Sequence, residues 1–160
     1  FVFKTVADKY TGQLSVMRVF SGEISSDSAV HNSTKDHGER FGTLMSLCGK
    51  EMTPVDGVAC GDIFAVAKLK DTATGDTVCL SAAQIIYSPP PRRSAAITFA
   101  IEAVKQGEED KIYQGLAKLA ETDPSLKLRR DKVSGTLLSG MGTLHIDATL
   151  KKLARKHLQL

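Results

Sequence analysis

The stretch "YSPPPRRS", residues 87–94, decides how the chain is organised, because three successive prolines interrupt it. Proline has no backbone N–H to donate to a β-ladder and fixes its own φ, so the stretch predicts a short, stiff linker. The hydrophobic pattern also changes its period across this point. We therefore predict two domains, covering residues 1–88 and 89–160.

Short alternating runs separated by Gly, Asp, Asn and Ser make up the chain before the linker. In "QLSVMRVFSG" (13–22), Leu14 and Val16 fall on one face and Met17 on the other, as expected of a strand. "STKDHGE" (33–39) predicts a polar loop. Several short strands at this spacing predict a closed antiparallel barrel or a sandwich, and we favour the barrel.

Strands and helices alternate after the linker. Residues 95–104 alternate as in a strand. Ile112, Leu116 and Leu119 then recur at i, i+4 and i+7, which is typical of a helix, and "TDP" (122–124) ends that helix.

A hairpin over 125–139 and a second helix over about 143–156 follow. The order β-α-β-β-α predicts an incomplete ferredoxin-like domain, and "HLQL" (157–160) could begin its missing strand. The second helix would bury Ile146, Leu150 and Leu153.

Composition and charge limit the class of protein. The chain is 42% hydrophobic and 24% charged, as in a globular protein, and no apolar run is long enough to span a bilayer, so we expect a cytoplasmic protein. Residues 1–91 carry 8 Lys+Arg against 10 Asp+Glu, and residues 92–160 carry 13 against 8. The excess of 5 positive charges in the second half hints at an anionic partner, and solvated surface lysines are the alternative.

Motifs for metal, cofactor or covalent chemistry are missing. The three cysteines, Cys48, Cys60 and Cys79, form no C-x-x-C pair, so we expect reduced core thiols. No histidine pair has ligand spacing on one helix, and we expect no metal site. A phosphate loop and a nucleophile elbow are absent, and "GMGTLH" has histidine where a dinucleotide fingerprint needs its third glycine. We therefore expect no catalytic residues and no cofactor in this chain.

The glycines of "LSGMGTLHID" (138–147) mark a sharp turn from a strand into a helix. Gly140 and Gly142 can adopt a positive φ or allow close backbone contact. His145, Thr149 and Lys152 recur along the helix as a polar stripe. This stripe faces either solvent or a neighbouring domain.

These residues resemble a known family. "LSGMGTLHID" is similar to the S-G-M-G-E-L-H-L-E/D signature in the third domain of elongation factor G, the ribosomal translocation GTPase. Residues 3–24 and 61–79 resemble the opening and close of that family's second domain, and residues 116–142 match its L-x-x-L-x-x-E-D-P pattern and hairpin. Thr122 and Thr143 depart from the family, which usually has Glu there. The wording of 61–79 also resembles a divergent, second-copy bacterial form.

The resemblance implies a translation-protein β-barrel followed by an incomplete ferredoxin-like domain. It also implies a GTP-binding domain before residue 1, which would hold GTP and Mg²⁺, and two further domains after residue 160. The chain alone would then be no enzyme. Its partners would be small-subunit ribosomal RNA and protein and its own flanking domains, in a monomeric factor that couples the GTPase domain to the ribosome.

Site residues follow from the same resemblance. The turn and stripe formed by Gly140, Gly142, His145, Thr149 and Lys152 would face the GTPase domain. For ribosomal RNA, we select cations of the barrel loops, which can pair with phosphates, although a plain surface position is the alternative for each. These residues are Lys35, His37, Arg40 and Lys50.

Two other functions remain open. A ribosome-protection or other regulatory translational GTPase would have the same domains. A stand-alone RNA-binding module would use the positive second half.

Overall fold

Two units make up the computed structural model, which describes residues 1–8, 12–49, 51–91, 93–105 and 107–157. The units are Phe1–Pro90 and Pro91–Leu160, so the division falls within the proline-rich stretch.

Short antiparallel strands form the first unit. They pair in a five-stranded sheet of order β1-β2-β9-β6-β7, a three-stranded sheet of order β10-β4-β5 and a two-stranded sheet of β3 and β8. Their bounds are β1 (Val2–Asp8), β2 (Gly12–Arg18), β3 (Glu23–Ser25), β4 (Ala29–Asn32), β5 (His37–Arg40), β6 (Leu44–Cys48), β7 (Glu51–Val55), β8 (Gly57–Ala59), β9 (Ile63–Ala67) and β10 (Val78–Cys79).

Backbone hydrogen bonds join these sheets into a barrel. The Val2 N–H donates to the Asp76 carbonyl (2.9 Å), which ties β1 to the segment before β10. The Ser33 N–H donates to the Thr77 carbonyl (3.0 Å), which ties the end of β4 to the same segment. Such closure satisfies strand edges that would otherwise be open. The predicted barrel is confirmed.

Both faces of β2 are buried, and Leu14 and Val16 lie on the face opposite Met17, as predicted. Met17 points into the barrel, whereas Leu14 and Val16 pack on the other face of the sheet with Ala65 of β9. The barrel core consists of Val2, Met17, Val30, Phe41, Leu44, Phe64, Val66 and Leu69.

Two expectations for the first unit are wrong. The predicted loop 33–39 contains strand β5, because a four-residue turn at 33–36 reverses the chain, with Asp36 in the left-handed region (φ 54°) that aspartate tolerates. The cysteines are not core thiols. Cys48 and Cys60 are exposed and Cys79 is partly exposed, since none of them lies on a core-facing strand position; all three are free.

The second unit follows the predicted order. It consists of β11 (Ile97–Ile101), α1 (Glu109–Thr122), β12 (Lys127–Asp131), β13 (Gly135–Gly140) and α2 (Thr143–His157). The sheet order is β11-β13-β12, antiparallel throughout, which gives three strands of a ferredoxin-like sheet in the described residues. The proposed start of a fourth strand is wrong for His157, which ends α2, and residues 158–160 lie outside the described part.

The two helices of the second unit pack on its sheet through the predicted apolar residues. Thr122 is the last residue of α1 and Asp123 adopts an extended conformation before Pro124, as proline requires of the residue preceding it. The core contains Leu116, Leu119, Leu126, Leu138, Ile146 and Leu153, with Ile112 and Leu150 packed against it.

A membrane-spanning helix is not found among the described residues, since neither helix is long and apolar enough.

Candidate functional site

The turn between β13 and α2 is built on a close contact at Gly140. A Cβ atom at this position would lie 3.1 Å from Cγ1 of Ile146 and 3.2 Å from Nδ1 of His145. The φ angles of Gly140 and Gly142 are outside the left-handed region, so the predicted close approach is confirmed for Gly140 and a positive φ is found at neither residue. Gly142 has open space around its Cα.

Gly142 also begins α2. Its carbonyl accepts hydrogen bonds from the N–H groups of His145 (3.1 Å) and Ile146 (3.2 Å). A residue whose carbonyl accepts the first bonds of a helix occupies the N-cap position. Gly142 is therefore the N-cap residue of α2, and it has no side chain to accept a hydrogen bond from the first N–H groups of the helix.

His145 links this turn to the end of α1. Its Nδ1 accepts a hydrogen bond from the Met141 N–H (3.3 Å), and its Nε2 lies 3.0 Å from Oδ2 of Asp123. Because Nδ1 is an acceptor, a neutral imidazole carries its proton on Nε2 and donates it to the carboxylate. One side chain thus joins the end of α1, the β13–α2 turn and the first turn of α2.

Asp123 is fixed from two sides. Its Oδ1 accepts hydrogen bonds from the backbone N–H (3.0 Å) and the hydroxyl of Ser125, and its Oδ2 faces His145. Partial burial would raise the pKa of Asp123, but the hydrogen bonds from Ser125 and His145 and the charge of His145 outweigh it. The pKa of Asp123 is therefore below its usual value.

The predicted polar stripe on α2 points in two directions. Thr149 is 5% exposed and its hydroxyl donates to the His145 carbonyl (2.8 Å), so a solvent-facing position is wrong for Thr149. A threonine hydroxyl bonded to the carbonyl four residues earlier can be buried because its hydrogen bond is made within the helix. Lys152 is exposed and His145 is partly buried. Contact of this set with a GTPase domain stays a prediction.

Two exposed apolar side chains beside His145 were missed. Met141 is 42% exposed and Leu144 is 82% exposed. A signal was present in the sequence, because Leu144 falls outside the Ile146, Leu150 and Leu153 spacing that faces the core. An apolar side chain held in solvent at the start of a helix is suited to contact another protein surface.

The cationic residues selected on the barrel differ in their hydrogen-bond and ion-pair partners. Lys35 forms a salt bridge with Asp76 (3.0 Å) and also bonds to the Asp71 carbonyl. The Nε of Arg40 donates to the Asp27 carbonyl (3.1 Å), and Arg40 is otherwise exposed on β5. Lys50 lies outside the described residues. His37, the fourth residue, faces Glu39 (3.3 Å).

A buried polar network holds the loop that carries Lys35. Asn32 is fully buried; its Nδ2 donates to Asp76 (3.0 Å) and Thr72 (3.1 Å), and its Oδ1 accepts from the N–H groups of Thr34 and Lys35 (both 3.1 Å). Burial would raise the pKa of Asp76, but hydrogen bonds from Ala73, Asn32 and Lys35 and the Lys35 charge lower it below its usual value. Lys35 therefore serves the barrel's own structure.

An aromatic cluster lies at one mouth of the barrel. The rings of Phe20 and Tyr87 are 5.0 Å apart, Phe1 lies 6.4 Å from Phe20, and the Arg18 guanidinium stacks over Phe20 at 5.7 Å. Beneath the cluster is a cavity of about 300 Å³ that reaches the barrel core at Met17. Sequence spacing gives no signal for this cluster, because Phe1, Phe20 and Tyr87 lie far apart in the chain and Tyr87 is part of the proline-rich stretch.

Each of the two units matches a known protein family. A model described as Elongation factor G domain 2 matches residues 1–81, and one described as Elongation Factor G, domain III, matches residues 93–158. The chain is also similar to a solved structure from Thermus thermophilus, with a TM-score of 0.81 and 24% identity over 95% of this chain. That similarity shows a shared fold. The match covers 23% of the Thermus chain, so this chain spans less than a quarter of it.

Proposed function

The chain belongs to the elongation factor G family, and from this membership we propose that it supplies domains II and III of a translational GTPase that promotes ribosomal translocation. The observation that carries the proposal is the order of the two family matches, one on each separately packed unit and together covering nearly the whole chain. We place the protein in the cytoplasm, as a monomer that works on the ribosome.

In this proposal the chain transmits force and the GTPase domain performs the chemistry. GTP and Mg²⁺ bind the GTPase domain of the whole protein, and the chain itself neither binds nor hydrolyses GTP. The two units couple that domain to small-subunit ribosomal RNA and protein. Rigid elements with fixed contacts are what such coupling needs.

The β13–α2 turn is the surface that we assign to the GTPase domain. His145 holds the ends of α1 and α2 together, so a force on the turn moves both helices. Met141 and Leu144 extend into solvent from the same turn and supply apolar contact area. Lys152 adds a positive charge on the next turns of α2.

For ribosomal RNA, Arg40 is the best placed of the selected residues. Its guanidinium is exposed and bonded to a backbone carbonyl, which leaves it without a carboxylate partner among the described residues. Lys35 and His37, in contrast, face carboxylates of the barrel. Their contribution to a phosphate contact would be smaller.

Two experiments test the proposal. In the whole protein, translocation of tRNA and mRNA on purified ribosomes with GTP should be observed; ribosome binding without translocation would favour a ribosome-protection or other regulatory paralogue. With the 160-residue chain alone, calorimetric titration with GTP and Mg²⁺ should show no binding. Tight, magnesium-dependent GTP binding by this chain would overturn the assignment of its role.

A further inference from the structure

Three metal-ligating side chains of the barrel converge beside the β4–β5 hairpin. His37 and Glu39 alternate along β5, so they share one face of the strand, and Asp71 lies in the loop after β9. One donor atom from each residue lies within 4.8 Å of the other two. The Nε2 atom of His37 is 3.3 Å from Oε1 of Glu39 and 3.8 Å from Oδ2 of Asp71.

The Nε2 atom of His37 is buried and makes no hydrogen bond within the described part of the chain. Two carboxylate oxygens lie close to it, and the nearer one, Oε1 of Glu39, is at the long end of hydrogen-bond distance (3.3 Å) and already accepts the Asp71 N–H. A buried polar atom without a partner costs free energy, and native structures contain few of them. The position of this atom therefore needs a physical explanation.

A shared metal ion gives that explanation. In a tetrahedral zinc site each donor atom lies about 2.0–2.1 Å from the ion, so neighbouring donors are about 3.3 Å apart and point at the ion between them. The separation between His37 and Glu39 equals this spacing. Asp71, whose side chain is 67% exposed, can shorten its longer separation by rotating.

The surrounding bonds orient the donors. Oε1 of Glu39 accepts the Asp71 N–H (2.8 Å), and Oε2 accepts the Thr72 hydroxyl (2.6 Å), which fixes the carboxylate and ties the Asp71 backbone to it. Hydrogen bonds of this kind hold metal ligands in position in known sites. Lys35 bonds to Asp76 and to the Asp71 carbonyl, so among the described residues no lysine or arginine pairs with the donor side chains.

We propose that His37, Glu39 and Asp71 bind one divalent transition-metal ion, with Zn²⁺ as the best fit and water in the fourth position. Imidazole combined with carboxylates suits such ions, whereas Mg²⁺ and Ca²⁺ take oxygen ligands. Histidine spacing along one helix predicts no metal site in this chain, and that criterion does not detect ligands from a strand and a loop. Here two ligands come from alternate positions of a strand and the third comes from a distant loop.

Cobalt titration of the metal-free 160-residue chain tests the site. Tetrahedral Co²⁺ absorbs visible light, and we expect this absorption to saturate at one ion per chain and to disappear when Zn²⁺ is added. The His37→Gln and Asp71→Asn variants should each bind Co²⁺ at least about tenfold more weakly. Because Asp71 is exposed and contacts Glu39 through its backbone, Asp71→Asn decides the question even if His37→Gln fails to fold.

His31→Gln is the matched control. His31 lies on β4 of the same hairpin, and its Nε2 atom is also buried without a hydrogen bond in the described part of the chain. Its only ion pair there is with Asp36 (3.2 Å), so it differs from His37 in having no third donor nearby. Its replacement should leave Co²⁺ binding unchanged. The proposal is overturned by absence of saturable binding, by equal binding in the Asp71→Asn variant, or by the near-ultraviolet absorption of a cobalt–thiolate bond, which would assign the ion to a cysteine.

Discussion

The imidazole of His145 and the carboxylate of Asp123 meet at 3.0 Å, although 22 residues separate them in the chain. Asp123 is the C-cap of α1 and His145 lies in the first turn of α2. The pair therefore fixes where one helix ends relative to where the other begins. Both residues belong to motifs that resemble the elongation factor G family, "TDP" and "SGMGTLH".

Replacing His145 by alanine should destabilise the second unit by about 1–2 kcal/mol, because two hydrogen bonds are lost while Asp123 and the Met141 N–H regain only partial contact with water. The measurement is urea unfolding followed by the helical circular dichroism signal, since both described helices lie in this unit. Lys152→Ala, on the exposed face of the same helix, is the control and should change the stability by less than about 0.5 kcal/mol. Equal effects of the two changes would contradict the role given to His145.

Acid should weaken the same unit through Asp123. The pKa of Asp123 is lowered in the folded chain, so the unfolded chain binds more protons in the window below its ordinary value of about 3.9. The stabilisation is thus complete above about pH 5, where Asp123 is ionised in the unfolded chain as well, and is lost as the pH falls through the folded-state pKa. Asp123→Asn should lower the unfolding free energy at neutral pH. In acid, the difference in unfolding free energy between wild type and variant should become smaller. A difference that is independent of pH would refute this.

Gly140→Ala should cost about 1–3 kcal/mol through overpacking, because the new methyl group would meet Ile146 and His145 at 3.1 and 3.2 Å. Gly142→Ser is the comparison: its Cβ has open space, and serine is at least as good an N-cap residue as glycine, so stability should be unchanged or slightly higher. Thermal unfolding of the two variants distinguishes them. If Gly140→Ala left the thermal stability unchanged, the close contact at the turn would not require glycine at this position.

Leu144→Asp in the whole protein should reduce ribosome-dependent translocation by roughly tenfold, which corresponds to loss of about 1.4 kcal/mol of contact energy. The isolated chain should keep its stability, because the Leu144 side chain is 82% exposed. Val133→Asp provides the matched control, since Val133 is likewise a highly exposed apolar residue of the second unit, on the β12–β13 turn. Equal losses in both variants would remove the special role of the β13–α2 turn.

Arg40→Ala in the whole protein should weaken ribosome association and lower the slope of log affinity against log salt by about 1, as expected for one lost phosphate contact. Stability should be almost unaffected. Lys35→Ala should instead destabilise the barrel, since Lys35 pairs with the buried Asp76. Ribosome affinity measured at several salt concentrations, beside calorimetry of each variant, separates the two effects. An unchanged salt slope for Arg40→Ala would exclude this contact.

Local patterns were sufficient for most of the fold. The 3.6-residue spacing of Ile112, Leu116 and Leu119 predicts α1, and the proline after Asp123 predicts its end; both are confirmed. The short strands were harder to predict. The polar run 33–39 predicts a loop that includes His37, Gly38 and Glu39 of β5, and only pairing with β4 makes these residues part of a strand.

In the candidate sites too, the local sequence predicts some features, and others depend on tertiary contacts. Gly140 could be identified from its place between a strand and a helix, but its reason, a contact with Ile146 and His145, depends on how α2 folds back on β13. The residue type of Thr149 predicts a place in a polar stripe, whereas its bond to a backbone carbonyl permits burial. Lys35 was selected by charge, and its partner Asp76 lies far away in the sequence, beyond β9.

The sequence by itself determined the two-part organisation, the order of helices and strands in the second unit and the family, because these depend on local periodicity, proline and ordered motifs. Tertiary structure alone decided which charged and polar groups pair with each other and which remain free to contact a partner. Lys35 with Asp76, His145 with Asp123, and His37 with Asp71 are brought together by chain reversals and sheet closure. Electrostatic interactions act over a few ångströms of space whatever the separation along the chain, so sequence spacing carries little information about them.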